Sequence, residues 1–182
     1  MPNKVYNNIE GHRILDNGSV CEDVTSVTLP TISHTTSKIS ASGMAMDVEI
    51  PNTAHLEAAE FSVSHNNGVN CDALGTPGKH VLEVRAVRQR YNKTTGEIEH
   101  EGIKWRGIGG HKSTEKGNVE TDNPYGSTEK YSVLRYEEIV NGQTTVLIDA
   151  MAGIIKYGSQ SYTDPVENLL RGGGGGGGAG PQ

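Results

Sequence analysis

Large apolar side chains are scarce in this sequence, which has one Trp, one Phe and a hydrophobic content of 34%. A chain this lean forms only a small core, and part of its stability is expected to come from partners. Trp105 and the scattered tyrosines offer little of the aromatic platform that a carbohydrate-binding surface needs. Cysteine is equally rare. Cys21 and Cys71 form no CxxC pair, and both are expected to stay reduced and structural. No apolar run is long enough to span a bilayer as a helix, and MPNKVYNNIEGHR lacks the pattern of a secretory signal. Asn92-Lys93-Thr94 has the form of a glycosylation acceptor, but without a secretion signal it reads as a turn. Positive charge is in deficit: 16 Lys and Arg stand against 22 Asp and Glu, for a net charge of −6. A protein that binds nucleic acid nonspecifically by neutralising phosphate is normally basic, so that class is disfavoured.

Catalytic patterns are missing as well. His12, His34, His55, His65, His80, His100 and His111 show neither HExxH nor paired Cys/His spacing. His34 and His100 fall on expected strands and read as surface or interface residues. Arg106-Gly107-Ile108-Gly109-Gly110-His111-Lys112-Ser113 resembles a phosphate loop only superficially. A His separates the last Gly from Lys112 and no helix follows, so the segment reads as a flexible strand exit. No Ser lies in GxSxG. Glu97, Glu99 and Glu101 share one strand face beside arginines, and Glu137-Glu138 lies near a turn. Both sets read as solvated, ion-paired positions. No catalytic constellation and no cofactor are expected.

What the sequence does contain is strand chemistry. Val24 to Pro51 reads VTSVTLPTISHTTSKISASGMAMDVEIP, with no helical stripe. Its centre, Thr31 to Ser42, is β-branched and hydroxyl-rich but nearly devoid of large apolar groups. Ile32, His34, Thr36, Lys38, Ser40 and Ser42 would occupy one face of the pleat. Thr31, Ser33, Thr35, Ser37, Ile39 and Ala41 would occupy the other. A long strand with two nearly polar faces is poorly specified by burial and exposes its backbone groups. It makes sense where strands of other chains pair with it and one face lines water.

In chain order, Ile14-Leu15 is a short apolar cluster closed by the turn residues Asp16-Asn17-Gly18. A strand is expected from about Ser19, punctuated by Leu29-Pro30. After the polar strand, Ser42-Gly43-Met44 is a break, and Ala45 to Ile50 alternates until Pro51. Asn52 to Glu60 could start one helical turn, and a strand is favoured from about Ala58 to Ser64. Residues 65–78 read as loop, with a short helical turn around Asp72-Ala73-Leu74. Lys79 to Arg106 reads as a long hairpin turning at Asn92 to Gly96, with Leu82, Val84 and Ala86 on one face. Arg85, Arg88 and Arg90 on its first arm complement Glu97, Glu99 and Glu101 on its second. Such cross-strand pairs each add about 0.2–1 kcal/mol and help to fix register. Residues 107–127 read as a glycine-rich loop. Thr128 to Ile148 reads as a second hairpin around Asn141-Gly142. Asp149 to Ile155 carries the chain outwards, and Asp164-Pro165 opens a terminal helical turn to Leu170. The expected fold class is all-β with little helix. Residues 1–170 form one domain, and residues 171–182, with the glycine run Gly172 to Gly178, form a flexible tail, native or added.

The chain resembles the major tail tube proteins of contractile-tailed bacteriophages and of R-type bacteriocins. The likeness covers most of residues 5–170. It rests on Tyr6, Ile14-Leu15 with Asp16-Asn17-Gly18, Val24-Thr25-Ser26-Val27-Thr28-Leu29-Pro30 and Gly43-Met44 before the Val48 strand. It continues through HVLEVRAVRQRYNKTTGEIEHEGIKWRG and YEEIVNGQTTVLID. The segment IIKYGSQSYTDPVENLL and the polyglycine run depart from the pattern. The resemblance implies a β-sandwich or barrel domain whose two long hairpins join an intersubunit β-barrel. Hexameric rings would then stack into a hollow tube inside a contractile sheath. The candidate hairpins are Val20 to Ile50 and His80 to Arg106. The candidate inner-barrel residues are Thr31, Ser33, Thr35, Ser37, Glu83, Arg85, Glu97 and Glu99. The Thr31/Ser33/Thr35/Ser37 face is expected to point into the lumen, because the other face carries Lys38.

Implied partners are further copies of the chain, the sheath protein, baseplate and tail-terminator proteins, and a tape-measure protein in the lumen during assembly. DNA would pass without sequence-specific binding in a phage; a bacteriocin tube would breach the target envelope instead. The implied location is a virion tail or an extracellular bacteriocin particle assembled in the bacterial cytoplasm. Two further readings stay open: a secretion-system inner tube, and a small β-sandwich carbohydrate-binding or hydrolytic domain.

Overall fold

The computed structural model describes residues 4–66 and 74–172. Asp72 and Ala73 of the expected helical turn, Cys71, and the glycine run from Gly173 onward lie outside the described residues. The chain forms β1 (Lys4–Asp16), β2 (Ser19–Cys21), β3 (Val24–Thr28), β4 (His34–Ile39), β5 (Val48–Leu56) and β6 (Glu60–His65). It continues with β7 (Lys79–Asn92), β8 (Ile98–Lys116), β9 (Ser127–Ser132), β10 (Arg135–Val140) and β11 (Gln143–Asp149). β12 (Ile154–Tyr157), β13 (Gln160–Ser161) and one short helix, α1 (Asp164–Leu170), complete it. The fold is all-β, as expected, and its sheets are open rather than closed into a barrel.

One run of strands has the order β13-β12-β11-β10-β8-β7-β1-β2. A second, β3-β6-β9, joins it through the far end of β8. The period-2 pattern explains the core between them. Leu82, Val84 and Ala86 are buried on β7, and Phe61 and Val63 on β6. Phe61, Val63 and Tyr131 share one cluster with Ile14, Leu82, Val84, Tyr136 and Ile148. At Asn17-Gly18 and Asn141-Gly142 the first residue has φ of 49° in both turns and the glycine 89° and 80°, so these dipeptides make the tight turns their sequence predicts.

β8 corrects the expectation of a glycine-rich loop over residues 107–127. It continues through that region to Lys116, pairing first with β7 and β10 and then, from His111, with β9. The glycines are there for close approach. A Cβ at Gly107 would fall 2.3 Å from the Phe61 ring, and one at Gly109 would fall 1.5 Å from the Ser132 carbonyl oxygen. Glycine in a strand marks such approaches, and here it lets one strand serve two sheets.

Other boundaries differ too. β1 is a full strand where only Ile14-Leu15 and a turn were expected; register irregularities between Tyr6 and Gly11 break its alternation. The single strand expected from Ser19 divides at Glu22-Asp23, where Asp23 has φ of 61°. Within the expected polar strand only His34–Ile39 pairs. β5 runs past Pro51 to Leu56 in place of the helical turn, and the proline sits at a pairing irregularity that tolerates its missing N–H. The expected Thr128 to Ile148 hairpin is two units: β9 belongs to the β6 sheet, and β10 pairs with β11. Ile154–Tyr157 does not lead outwards but folds back on β11.

Candidate assembly surfaces

β4 and β5 form a two-stranded sheet of their own, and among the described residues neither has another strand neighbour. Its base is anchored: Ile32 and Leu56 pack against the core, and the Glu57 N–H donates to the Ser33 carbonyl at 2.8 Å. Farther out, residues 36–39 and 48–53 are exposed. Register pairs Ser37 with Ile50 and Ile39 with Val48, so these four share a face. Thr36 with Pro51 and Lys38 with Glu49 make up the other. Ile39 and Ile50 are 45% and 47% exposed. Lys38 Nζ lies 2.6 Å from Asp47 Oδ2, and the ammonium holds the Asp47 carboxyl below its ordinary range.

Of the candidate inner-barrel residues here, Thr31 and Ser33 precede β4, Thr35 lies at the pairing irregularity, and Ser37 is on the more apolar face. β4 on its own is nearly polar on both sides. The sorting into faces comes from Val48 and Ile50 of its partner strand.

A second surface is the far end of β1-β7-β8. On the side that continues the core face, Arg88 Nη2 and Arg90 Nη1 reach the nearly buried Glu101 at 2.5 and 2.8 Å. Arg90 Nε also donates to Glu99 at 2.8 Å, and Lys4 Nζ approaches Glu99 at 3.2 Å. Asn141 Nδ2 donates to Glu101 at 2.9 Å, and the Arg88 guanidinium stacks 4.0 Å over the Tyr6 ring. Hydrogen bonds from Asn92, Lys4 and Arg90 hold the Glu99 carboxyl down to about 2. The expected ladder is therefore present for Arg88, Arg90, Glu99 and Glu101. It does not include Arg85 or Glu97: Arg85 pairs across to Lys104, and Glu97 sits in the turn before β8. Lys4 and Tyr6 are not legible as members in the sequence because register irregularities between Tyr6 and Gly11 break the alternation of β1.

The opposite side of the same strands is arranged in cross-strand rows. Arg13, Arg85 and Lys104 form one row; Gly11, Val87 and Gly102 form the next. Glu83 meets Arg85 at 2.5 Å and Lys104 at 3.8 Å. Thus Glu83 and Arg85 come together, on the face away from Glu99.

Where β8 bends, a buried polar cluster ties the sheets. Asp16 and His80 are almost completely buried, with Asp16 Oδ2 2.9 Å from His80 Nδ1. His80 Nε2 lies 2.8 Å from the Thr76 carbonyl. A carbonyl only accepts, so Nε2 is the donor to Thr76. Tyr131 packs edge-on to both His80 and His111, and His111 Nε2 is 2.9 Å from the buried Glu129. His111 is therefore an anchor of the bend rather than part of a flexible exit. Among the described residues, no group of three or more His, Cys, Asp or Glu is placed to hold a metal ion.

A family model described as phage tail tube protein FII matches residues 9–170. That match runs from within β1 to the end of α1 and takes in the β4–β5 hairpin and the Arg88, Arg90, Glu99 and Glu101 ladder, but not Lys4 or Tyr6. No curated protein matches the chain.

Proposed function

The chain belongs to the phage tail tube protein FII family, and we propose that it is the inner-tube subunit of a contractile phage tail or a phage-tail-like bacteriocin, assembled as stacked hexameric rings. The observation that carries the reading is the β4–β5 hairpin. Among the described residues both its edges are unpaired, and it has an exposed apolar face and an anchored base. An isolated two-stranded hairpin is marginal in water, and open edges invite pairing. Strands from neighbouring copies remove both problems, and closing the sheet around a ring leaves a wide lumen. The β7–β8 hairpin is the second candidate contributor.

The pairing bears on which face lines the lumen. Ser37 shares its face with Ile39, Val48 and Ile50, which supports turning that face against protein. The Thr36/Lys38/Glu49 face then meets water. Lys38 does not oppose this orientation, because Asp47 already neutralises it. A lumen of hydroxyls and paired charges lets a polyanion slide without gripping it. The sheath protein contacts the tube's exterior, the baseplate and terminator proteins its two ends, and a tape-measure protein fills it during assembly.

Negative-stain microscopy of the purified, concentrated protein tests the reading. Rings or tubes with a central channel are expected. Ile39→Asp with Ile50→Asp should abolish them while leaving the circular dichroism of the subunit unchanged. A compact monomer at every concentration and salt, even with a tail initiator added, overturns the proposal.

A further inference from the structure

We infer that the loop over residues 117–126 of one copy docks in the groove over Gly11, Val87 and Gly102 of the next copy, with Glu120 and Asp122 meeting Arg13, Arg85 and Lys104. This rests on the stacked-tube reading and assigns the contact between rings.

The groove exists because two of its three central positions lack side chains. A Cβ at Gly11 or Gly102 would meet nothing within 4 Å, and the depression, open to solvent, has a volume of about 760 Å³. Val87 between them is a 42% exposed apolar floor. The adjoining row holds three cations, two of which, Arg85 and Lys104, share the carboxylate of Glu83. This is a local positive excess on a chain of net charge −6. Arg85 and Lys104 keep 56% and 38% of their side-chain surface exposed.

The loop is the complement in shape and charge. Residues 117–126 read GNVETDNPYG, with two carboxylates and no Lys or Arg. Val119 is 91% exposed, the most exposed large apolar residue described. The loop is held in shape before it meets anything. The Gly117 N–H donates to the Gly126 carbonyl at 2.9 Å, and the Gly126 N–H to Asn66 at 2.6 Å. A Cβ at Gly117 would fall 1.6 Å from the Tyr125 carbonyl oxygen, so the two ends are pinched together. Asn123 Nδ2 donates to Glu120 at 3.2 Å, and Asp122 is fixed in the left-handed region at φ 66°. A preordered loop loses little freedom on docking.

Loop and groove lie at opposite ends of β8. Lys104 and Lys116 are separated by about 40 Å of strand path at about 3.3 Å per residue, so the loop does not serve the groove of its own chain. A contact between two different patches on successive copies is heterologous, and repeated along one direction it gives an open stack. Val119 would cover Val87 in the glycine-flanked depression while the carboxylates meet the cationic row.

Charge reversal tests the pairing. Arg13→Glu with Lys104→Glu, and separately Glu120→Lys with Asp122→Lys, should leave folded subunits and rings but reduce tubes at least tenfold by microscopy. All four substitutions together should restore them. A disulfide trap is an independent readout. Val87→Cys with Val119→Cys should give a ladder of covalent oligomers on oxidation of assembled tubes, reversed by reductant. Wild-type tube yield in either double variant, or no ladder from double-cysteine tubes, overturns the inference and leaves the tube reading standing. Failure of the wild-type chain to form rings or tubes overturns both.

Discussion

Gly107 on β8 lies directly against the Phe61 ring on β6, so that a methyl group at Gly107 would fall 2.3 Å from Phe61 Cε2. Two strands from different sheets meet here with no room for a side chain. Gly107→Ala should cost about 1–3 kcal/mol, the usual range for overpacking. Gly109→Ala should cost more, because its obstacle is the Ser132 backbone, which cannot rotate away. Urea unfolding of the isolated subunit measures both; equal midpoints for wild type and Gly109→Ala would mean that Gly109 does not lie against the Ser132 backbone as described.

Asp16→Ala should destabilise the subunit by about 3–5 kcal/mol, the range for breaking a buried pair and leaving its partner uncompensated. His80 is that partner, at 2.9 Å. Glu49→Ala, on the exposed hairpin face, should stay within about 0.5 kcal/mol in the monomer. Thermal melting of both variants makes the comparison, and a small loss for Asp16→Ala would remove the pair as an anchor.

His65 gives the subunit an acid-side weakness. Its ring is 3% exposed, and neither nitrogen has a hydrogen-bond partner among the described residues. Burial pushes its pKa below the ordinary 6.5, against the opposing pull of Glu129 and Asp23. The unfolded chain then binds the proton more readily, so stability is full above pH 6.5 and falls as pH drops below it. His65→Leu should flatten that slope in melting curves between about pH 7 and 5. An unchanged slope would place the titration elsewhere.

Glu99 acts in a lower window. Its folded pKa is held near 2 against an ordinary 4.5. Its contribution is complete above pH 4.5 and disappears as pH falls towards 2. Glu99→Gln should reduce the loss of stability across that window, most visibly by hydrogen exchange in β1 and β7. Identical exchange profiles in acid would exclude Glu99 as the group that titrates in this window.

Much of this was legible in local chemistry. Leu82, Val84 and Ala86 announce the inner face of β7, Asn141-Gly142 fixes the turn between β10 and β11, and Asp164-Pro165 opens α1. The Arg90–Glu99 pair follows from the hairpin's register. What stayed hidden depends on distant partners. β1 lost its alternation to irregularities that only pairing with β7 creates. The glycines of β8 resemble a loop until Phe61 and Ser132 are placed against them. The apolar face of the β4–β5 hairpin emerges only when Ile39 meets Val48.

The partnership of β1 with β7 also sets a timetable. β1 ends at Asp16 and its neighbour begins at Lys79. At roughly 5–20 residues per second, the ribosome needs several seconds to supply it. Throughout that interval Val5, Tyr6 and Ile9 have no long partner strand on which to settle. The nascent chain therefore carries β1 as an unmatched ribbon, and slowing translation between β1 and β7 should raise the share of subunits lost to aggregation during synthesis.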